Sequence, residues 1–471
     1  MELLEKLNYI EENCCWEEFY NVFNIKNFPE EENGKKNRRI LAKLGACLSK
    51  KEVPSSIKVS ILKSFKLACL RDTQYHHKPY KKNYSSISSE GFDPDYPTSY
   101  FPFDEITKWT IDNLTAILEN PDEIDVIKES LSFLCNMLAY NDDILVDESY
   151  HEKTINLLGK LLMNCKEDGI VIRACCLTHN IMNTWYRYFD VQNLVKITEG
   201  LLKADEHGFK AARDSLLILL KKDAFVRNYE GLSLDSRLYF LELVCKLVNN
   251  ELENREDFFL PEDTVLFLIK RFKDRSNLIL KTEESYVKEQ MKEPAEVIIL
   301  LDILGTLSCK MEIVKRDASL LINVVFLLKA IHMAGKSSSN NFTPLQKLAQ
   351  VAPSNNSDRE SIENHVAFGF KSSLVRFIAN DVYKNRANQD KVQELDGMSL
   401  ILDCCNIDAR NPLIMQWCIL AIRNLLENNP ANQELIRNSQ KIRFIDTEVI
   451  REMGITLNQD GNPIGIVPLP D

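Results

Sequence analysis

Apolar residues recur along this chain at spacings of three and four, in runs separated by short charged or Asn/Asp-rich turns. That period belongs to amphipathic helices rather than strands. Ala211 to Leu220, Ser236 to Val248, Asp263 to Phe272, Ala295 to Leu307 and Ser319 to Ile331 all read this way. The clearest case is Asp408 to Leu425, where Leu413, Ile414, Trp417, Leu420, Ala421 and Leu425 share one helical face. Asn411 is placed to cap its first turn, Pro412 suits the first helical position, and Asn428-Asn429-Pro430 stops it. Trp417, Leu420 and Leu425 are therefore assigned to the core, and truncation of Trp417 to Ala is expected to cost about 3 to 5 kcal/mol.

The pattern also repeats. Ile378-Ala379-Asn380 with Asn388-Gln389 is answered 44 residues later by Ile422-Arg423-Asn424 with Asn432-Gln433. Leu134-Cys135-Asn136 and Thr178-His179-Asn180 stand at the same offset. Armadillo and HEAT units run to about 40 to 47 residues, and each needs neighbours to bury its apolar face. The expected fold is all-α, an armadillo/HEAT-like α-solenoid interrupted by two long irregular loops.

Its expected divisions begin with an N-terminal helical cap over 1–71 and an aromatic, proline-rich insertion over 72–104. Proline at the density of Pro79, Pro94, Pro97 and Pro102 is incompatible with a helix there, while tyrosines such as Tyr75, Tyr80 and Tyr96 suit packing on the stack or on a partner. Within it, Ser85, Ser86, Ser88 and Ser89 beside Lys81-Lys82 are candidate phosphorylation sites, since a phosphate could pair with those lysines and order the loop. Plain flexible sequence is the competing account. Helical repeats follow over 105–334, then a Ser/Asn-rich linker over 335–361 with a short helix at Leu345 to Val351. Clear repeats occupy 362–450. An extended tail over 451–471 alternates Ile464, Ile466, Val467 and Leu469 with Gly and Pro, as a strand would.

Composition narrows the function. A net charge of −11 argues against a nucleic-acid binder, whose footprint is a concentrated basic surface, and the basic runs near Lys35 and Lys81 fall in loop-like stretches. The acidic, amphipathic opening from Met1 to Leu7 does not read as a secretory signal, and the strongest apolar window, Leu320 to Leu328, falls short of a bilayer span. The 13 cysteines lack any Cys-x-x-Cys spacing and suit free, buried thiols in a reducing compartment, with no metal or cofactor expected. Catalytic motifs are missing as well: Gly335-Lys336-Ser337 has no glycine at position 330 to begin a phosphate loop.

The block from Val375 to Asn380, Tyr383 to Asp390, Asp403 to Asp408 and Arg410-Asn411-Pro412 through Trp417 to Asn432-Gln433 resembles the carboxy-terminal domain of the ataxin-10 family. Two positions depart from it: Leu413 stands where the family usually has Phe, and Met415-Gln416 replaces a charged residue and Glu. The resemblance implies a non-catalytic cytoplasmic scaffold, with perinuclear or midbody pools, acting in cytokinesis, neurite outgrowth and neuronal survival. It implies a G-protein β subunit and the O-linked N-acetylglucosamine (O-GlcNAc) transferase as partners, and self-association into a homo-oligomer.

Armadillo proteins that carry extended peptides use a ladder of Asn side chains beside Trp residues one turn earlier. Asn136, Asn180, Asn380 and Asn424 match the Asn position and are candidate partner-binding residues. The residues four before them are Ser132, Cys176, Arg376 and Leu420, with no indole, which disfavours carriage of nuclear signals. The alternative is that each amide satisfies a buried backbone group between helices. Both accounts stand at this stage.

Overall fold

The computed structural model describes residues 2–25, 28, 34–50, 53–71, 102–117, 123–140, 148–184, 186–249, 260–282, 291–337, 339–346, 362–363, 365–438, 455–456 and 465–466. Contacts divide the chain into two compact units, Met1–Leu232 and Ser233–Asp471.

The first unit contains α1 (Glu2–Asn13), α2 (Phe19–Val22), α3 (Gly34–Leu48), α4 (Ser55–Arg71), α5 (Pro102–Ile117), α6 (Ile124–Tyr140), α7 (Glu148–Asn164), α8 (Asp168–Thr184), α9 (Val191–Glu206), α10 (Lys210–Lys221) and α11 (Ala224–Asn228). From α3 to α9, each helix packs on the one two places along. One row is α4, α6, α8 and α10; the other is α3, α5, α7 and α9. This alternation is the two-layer stacking of an α-solenoid, in which no repeat has a closed core of its own. Phe65 and Phe133, both fully buried, meet edge to face with ring centroids 5.8 Å apart and join α4 to α6. In the other row, a Cβ on Gly200 would stand 2.4 Å from Leu162 Cβ, so glycine is what lets α9 approach α7.

The second unit contains α12 (Leu234–Val248), α13 (Glu262–Arg275), α14 (Lys292–Lys310), α15 (Glu312–Lys315), α16 (Ala318–Ser337), α17 (Phe370–Asp381), α18 (Arg386–Glu394), α19 (Gly397–Cys404), α20 (Ile414–Leu426) and α21 (Pro430–Asn438). Its inner row runs α12, α14, α17, α20, and α16 lies on α17 and α18. In the tail, β1 (Ile455–Thr456) pairs antiparallel with β2 (Gly465–Ile466), the only strands among the described residues. The fold is the expected all-α solenoid.

Three local expectations are corrected. Helix α5 begins at Pro102, inside the stretch expected to be irregular, because proline in a first turn gives up an amide that has no intrahelical partner. Helix α20 begins at Ile414, with Leu413 left-handed at φ 60°, so Pro412 and Asn411 lie outside it. Pro430 does more than end that helix: it opens α21, and Asn429 Oδ1 accepts from the Asn432 amide at 3.1 Å as its cap.

Helix α16 spans 20 residues and is apolar and long enough to cross a membrane, which the Leu320 to Leu328 window concealed. It buries Leu320, Leu321, Val324, Val325, Leu327, Leu328 and Ile331 within its unit, as a central core helix does. The expected short helix at Leu345 to Val351 falls largely outside the described residues.

Candidate functional site

The four repeat asparagines occupy one kind of position. Asn180 Nδ2 donates to the Cys135 carbonyl at 2.8 Å, and Asn424 Nδ2 donates to the Ala379 carbonyl at 2.9 Å. In each pair the acceptor is the residue just before the asparagine of the preceding inner helix. Asn380 Nδ2 reaches back to the Gly305 carbonyl at 2.9 Å, and Asn136 Nδ2 to the Lys66 carbonyl at 3.4 Å. Each side chain thus ties its helix to the one before it, α6 to α4, α8 to α6, α17 to α14 and α20 to α17. Asn424 is buried and the other three are half-buried, so a margin of the ladder faces solvent.

A second motif of the 44-residue repeat is equally matched in its atoms. Asn432 Nδ2 donates to the Leu425 carbonyl at 2.9 Å and Gln433 Nε2 to the Leu426 carbonyl at 2.8 Å. One repeat earlier, Asn388 and Gln389 make the corresponding bonds to the carbonyls of Asp381 and Val382, both at 3.5 Å. Gln389 Nε2 also donates to the Asn424 carbonyl at 2.8 Å, bridging α18 to α20.

Asn411 caps a helix other than the one expected. Its Oδ1 accepts from the backbone amides of Lys371 at 3.0 Å and Ser372 at 3.4 Å, the first turn of α17. The N-cap residue of α17 is Gly369 at φ 77°, which has no side chain to offer, so the cap arrives from the loop before α20. Asp408 holds that loop in place, accepting from the Leu345 amide at 3.0 Å and from Asn411 Nδ2 at 2.7 Å. No local pattern reveals this arrangement, because cap and capped helix are 40 residues apart.

The proposed core residues divide. Leu425 is fully buried, whereas Trp417 and Leu420 are half-buried. They precede Asn424 by seven and four residues, which sets all three on one flank of α20. The indole assigned to the core is thus half-buried. Arg376, four before Asn380, donates through Nη2 to the Asp302 side chain at 2.9 Å and carbonyl at 3.2 Å, fastening α17 to α14. The candidate phosphorylation serines, Ser85, Ser86, Ser88 and Ser89, lie outside the described residues.

One constellation has the look of catalytic machinery. His332 Nδ1 is 3.6 Å from Cys404 Sγ, and its Nε2 is 3.5 Å from Asp403 Oδ2. The chemistry does not follow from the layout. Cys404 is 5% exposed and burial pushes its thiol up to about 11, the opposite of what a nucleophilic thiolate needs. Burial and the charges of Lys336 and Lys371 lower His332, outweighing Asp403, so no imidazolium is held beside the thiol. Among the described residues no three ligating side chains are arranged around an ion site. An open cavity of 420 Å³ in the first unit is lined by Glu5, Lys6, Tyr9, Glu18, Asn21 and Val22.

A family model described as the spinocerebellar ataxia type 10 protein domain matches residues 370–465, from the start of α17 through the tail. Human ataxin-10 is 33% identical over 354 residues, covering 74% of this chain and 72% of the relative. The chain belongs to the ataxin-10 family. Ataxin-10 of cattle is 29% identical over 359 residues, again 74% of this chain and 72% of the relative. The ataxin-10 homolog of Dictyostelium discoideum is 39% identical over 94 residues, 20% of this chain and 15% of its own. The ataxin-10 likeness therefore reaches well beyond the C-terminal repeats into the helices upstream.

Proposed function

We propose that this chain is a non-catalytic protein–protein interaction scaffold of the armadillo type, acting in cytokinesis, neurite outgrowth and neuronal survival signalling. Its place is the cytoplasm, with a perinuclear or midbody pool. Its partners are a G-protein β subunit and the O-GlcNAc transferase, and it self-associates. The observation that carries the scaffold reading is the pair of helical stacks whose side-chain chemistry is spent on holding repeats together. The asparagine amides, Arg376 and Asn411 all bond to neighbouring helices. The grouping of His332, Cys404 and Asp403 has its thiol in the wrong protonation state for attack. Family membership supports the cellular roles.

A carrier of extended peptides is the second reading, favoured by the half-exposed Trp417 on the Asn424 flank of α20. An aromatic ring beside a row of amides is a workable slot for a peptide side chain.

Proximity labelling with the full chain in dividing cells and in neurons tests the proposal. Enrichment of the G-protein β subunit and the transferase over a scrambled-location control supports the scaffold. Their absence, with extended basic peptides retained instead and lost on Trp417→Ala, supports the carrier and overturns the scaffold.

A further inference from the structure

The 44-residue repeat sets Asp381 and Leu425 at the same place, the residue whose carbonyl receives the amide of Asn388 or Asn432. Leu425 is fully buried, as a core leucine should be. Asp381 is only 1% exposed, so a carboxyl occupies a position the repeat builds for an apolar side chain.

Its surroundings are poor in counter-charge. Asp381 Oδ2 accepts from Asn388 Nδ2 at 2.7 Å, while Oδ1 is buried with no hydrogen-bond partner. It is the last residue of α17, where the helix carbonyls gather negative charge and disfavour an anion. Among the charged groups around it, Lys315 on α15 attracts the carboxylate, and Asp317 and Glu312 from the same segment repel it. Asn388 completes the junction by donating also to the Lys315 carbonyl at 2.9 Å, so one amide ties α17, α18 and the end of α15 together. Burial, the largest influence, drives the carboxyl up to about 7, with Lys315 and the Asn388 hydrogen bond opposing and the two acids adding to it.

We propose that Asp381 is a proton-operated latch on this junction, closed while the carboxyl is neutral and loosened when the proton leaves to solvent. The reasoning is linkage. A carboxyl lifted in the closed state and ordinary in the opened state makes no difference below its ordinary range near 3.8, where both states carry the proton. As pH rises from there the opened state ionises first and is favoured, and the effect is complete above the lifted value. Mild acidification therefore tightens the C-terminal repeats and mild alkalinisation frees α18.

Amide hydrogen exchange of the full chain, corrected for intrinsic rates, reads this directly in peptides covering 312–317 and 381–394. Between about pH 6 and about pH 8 the opening equilibrium of these segments should rise about tenfold in the wild type. It should stay flat in Asp381→Asn and in Asp381→Leu, the latter being the side chain the next repeat already uses. A flat wild-type profile overturns the proposal, as does a tenfold rise that persists in both variants. Should either variant fold poorly, the wild-type carboxyl can be followed by carbon NMR. Titration near 7 supports the latch, and titration near the ordinary aspartate value refutes it.

Discussion

An asparagine amide offers two donors on a short stem, and in this chain that chemistry is used to close gaps between helices. The carbonyl of Ala379, a fully buried residue of α17, receives Asn424 Nδ2 at 2.9 Å. Replacing Asn424 by Ala removes the donor and leaves the buried side of that carbonyl unsatisfied, a loss of about 1 to 3 kcal/mol. The measurement is urea unfolding of the full chain. Asn411 makes a sharper residue-scale case. Asn411→Ala should cost about 1 to 2 kcal/mol, the value of an N-cap, although Asn411 belongs to no helix. The loss should appear as faster amide exchange in the first turn of α17, and unchanged exchange there would show that another group caps it. Trp417→Ala should cost less than the 3 to 5 kcal/mol of a large core truncation, because its indole is already partly in water.

At the scale of elements, close approach and buried charge set the tolerances. Gly200→Ala places a Cβ 2.4 Å from Leu162 Cβ and 3.0 Å from its backbone carbon, so α9 must move off α7. A destabilisation of about 1 to 3 kcal/mol is expected, read as a lowered melting temperature. Glu296, fully buried on α14, accepts from Arg271 Nε at 2.8 Å and lies 3.2 Å from Arg275 Nε, pinning α13 to α14. Glu296→Ala should cost about 3 to 5 kcal/mol by removing the buried carboxylate that pairs with Arg271, while Arg275 keeps its second partner Glu293. The helices themselves were legible in the sequence, because a three-four apolar period needs no knowledge of neighbours. The segments read at 211–220, 236–248, 263–272, 295–307 and 319–331 lie inside α10, α12, α13, α14 and α16. The 44-residue offset was legible only where repeats are contiguous. Asn136 and Asn380 bond back across 70 and 75 residues rather than 44, and no fixed period finds such partners. Caps supplied from a distant loop, such as Asn411 on α17, and the meeting of His332 with Cys404 across 72 residues leave no local trace.

On the scale of the whole chain, two helical units carry a net charge of −11 and a family likeness that extends over 74% of the residues. Asparagine amides join α4 to α6 and α6 to α8 in the first unit, and α14 to α17 and α17 to α20 in the second, so these neighbouring repeats support one another. That cooperation is the physical basis for an interaction surface built from many repeats, and it is the claim on which the functional reading rests. The most direct test is urea unfolding of the full-length Asn380→Ala/Asn424→Ala double variant, followed by helical circular dichroism. A loss of about 1 to 3 kcal/mol or more is predicted, at least the cost of one buried carbonyl left unsatisfied, and the two single costs need not add because Asn424 bonds the residue beside Asn380. An unfolding curve superimposable on the wild type would show that these amides do not hold the stack, and would contradict the account.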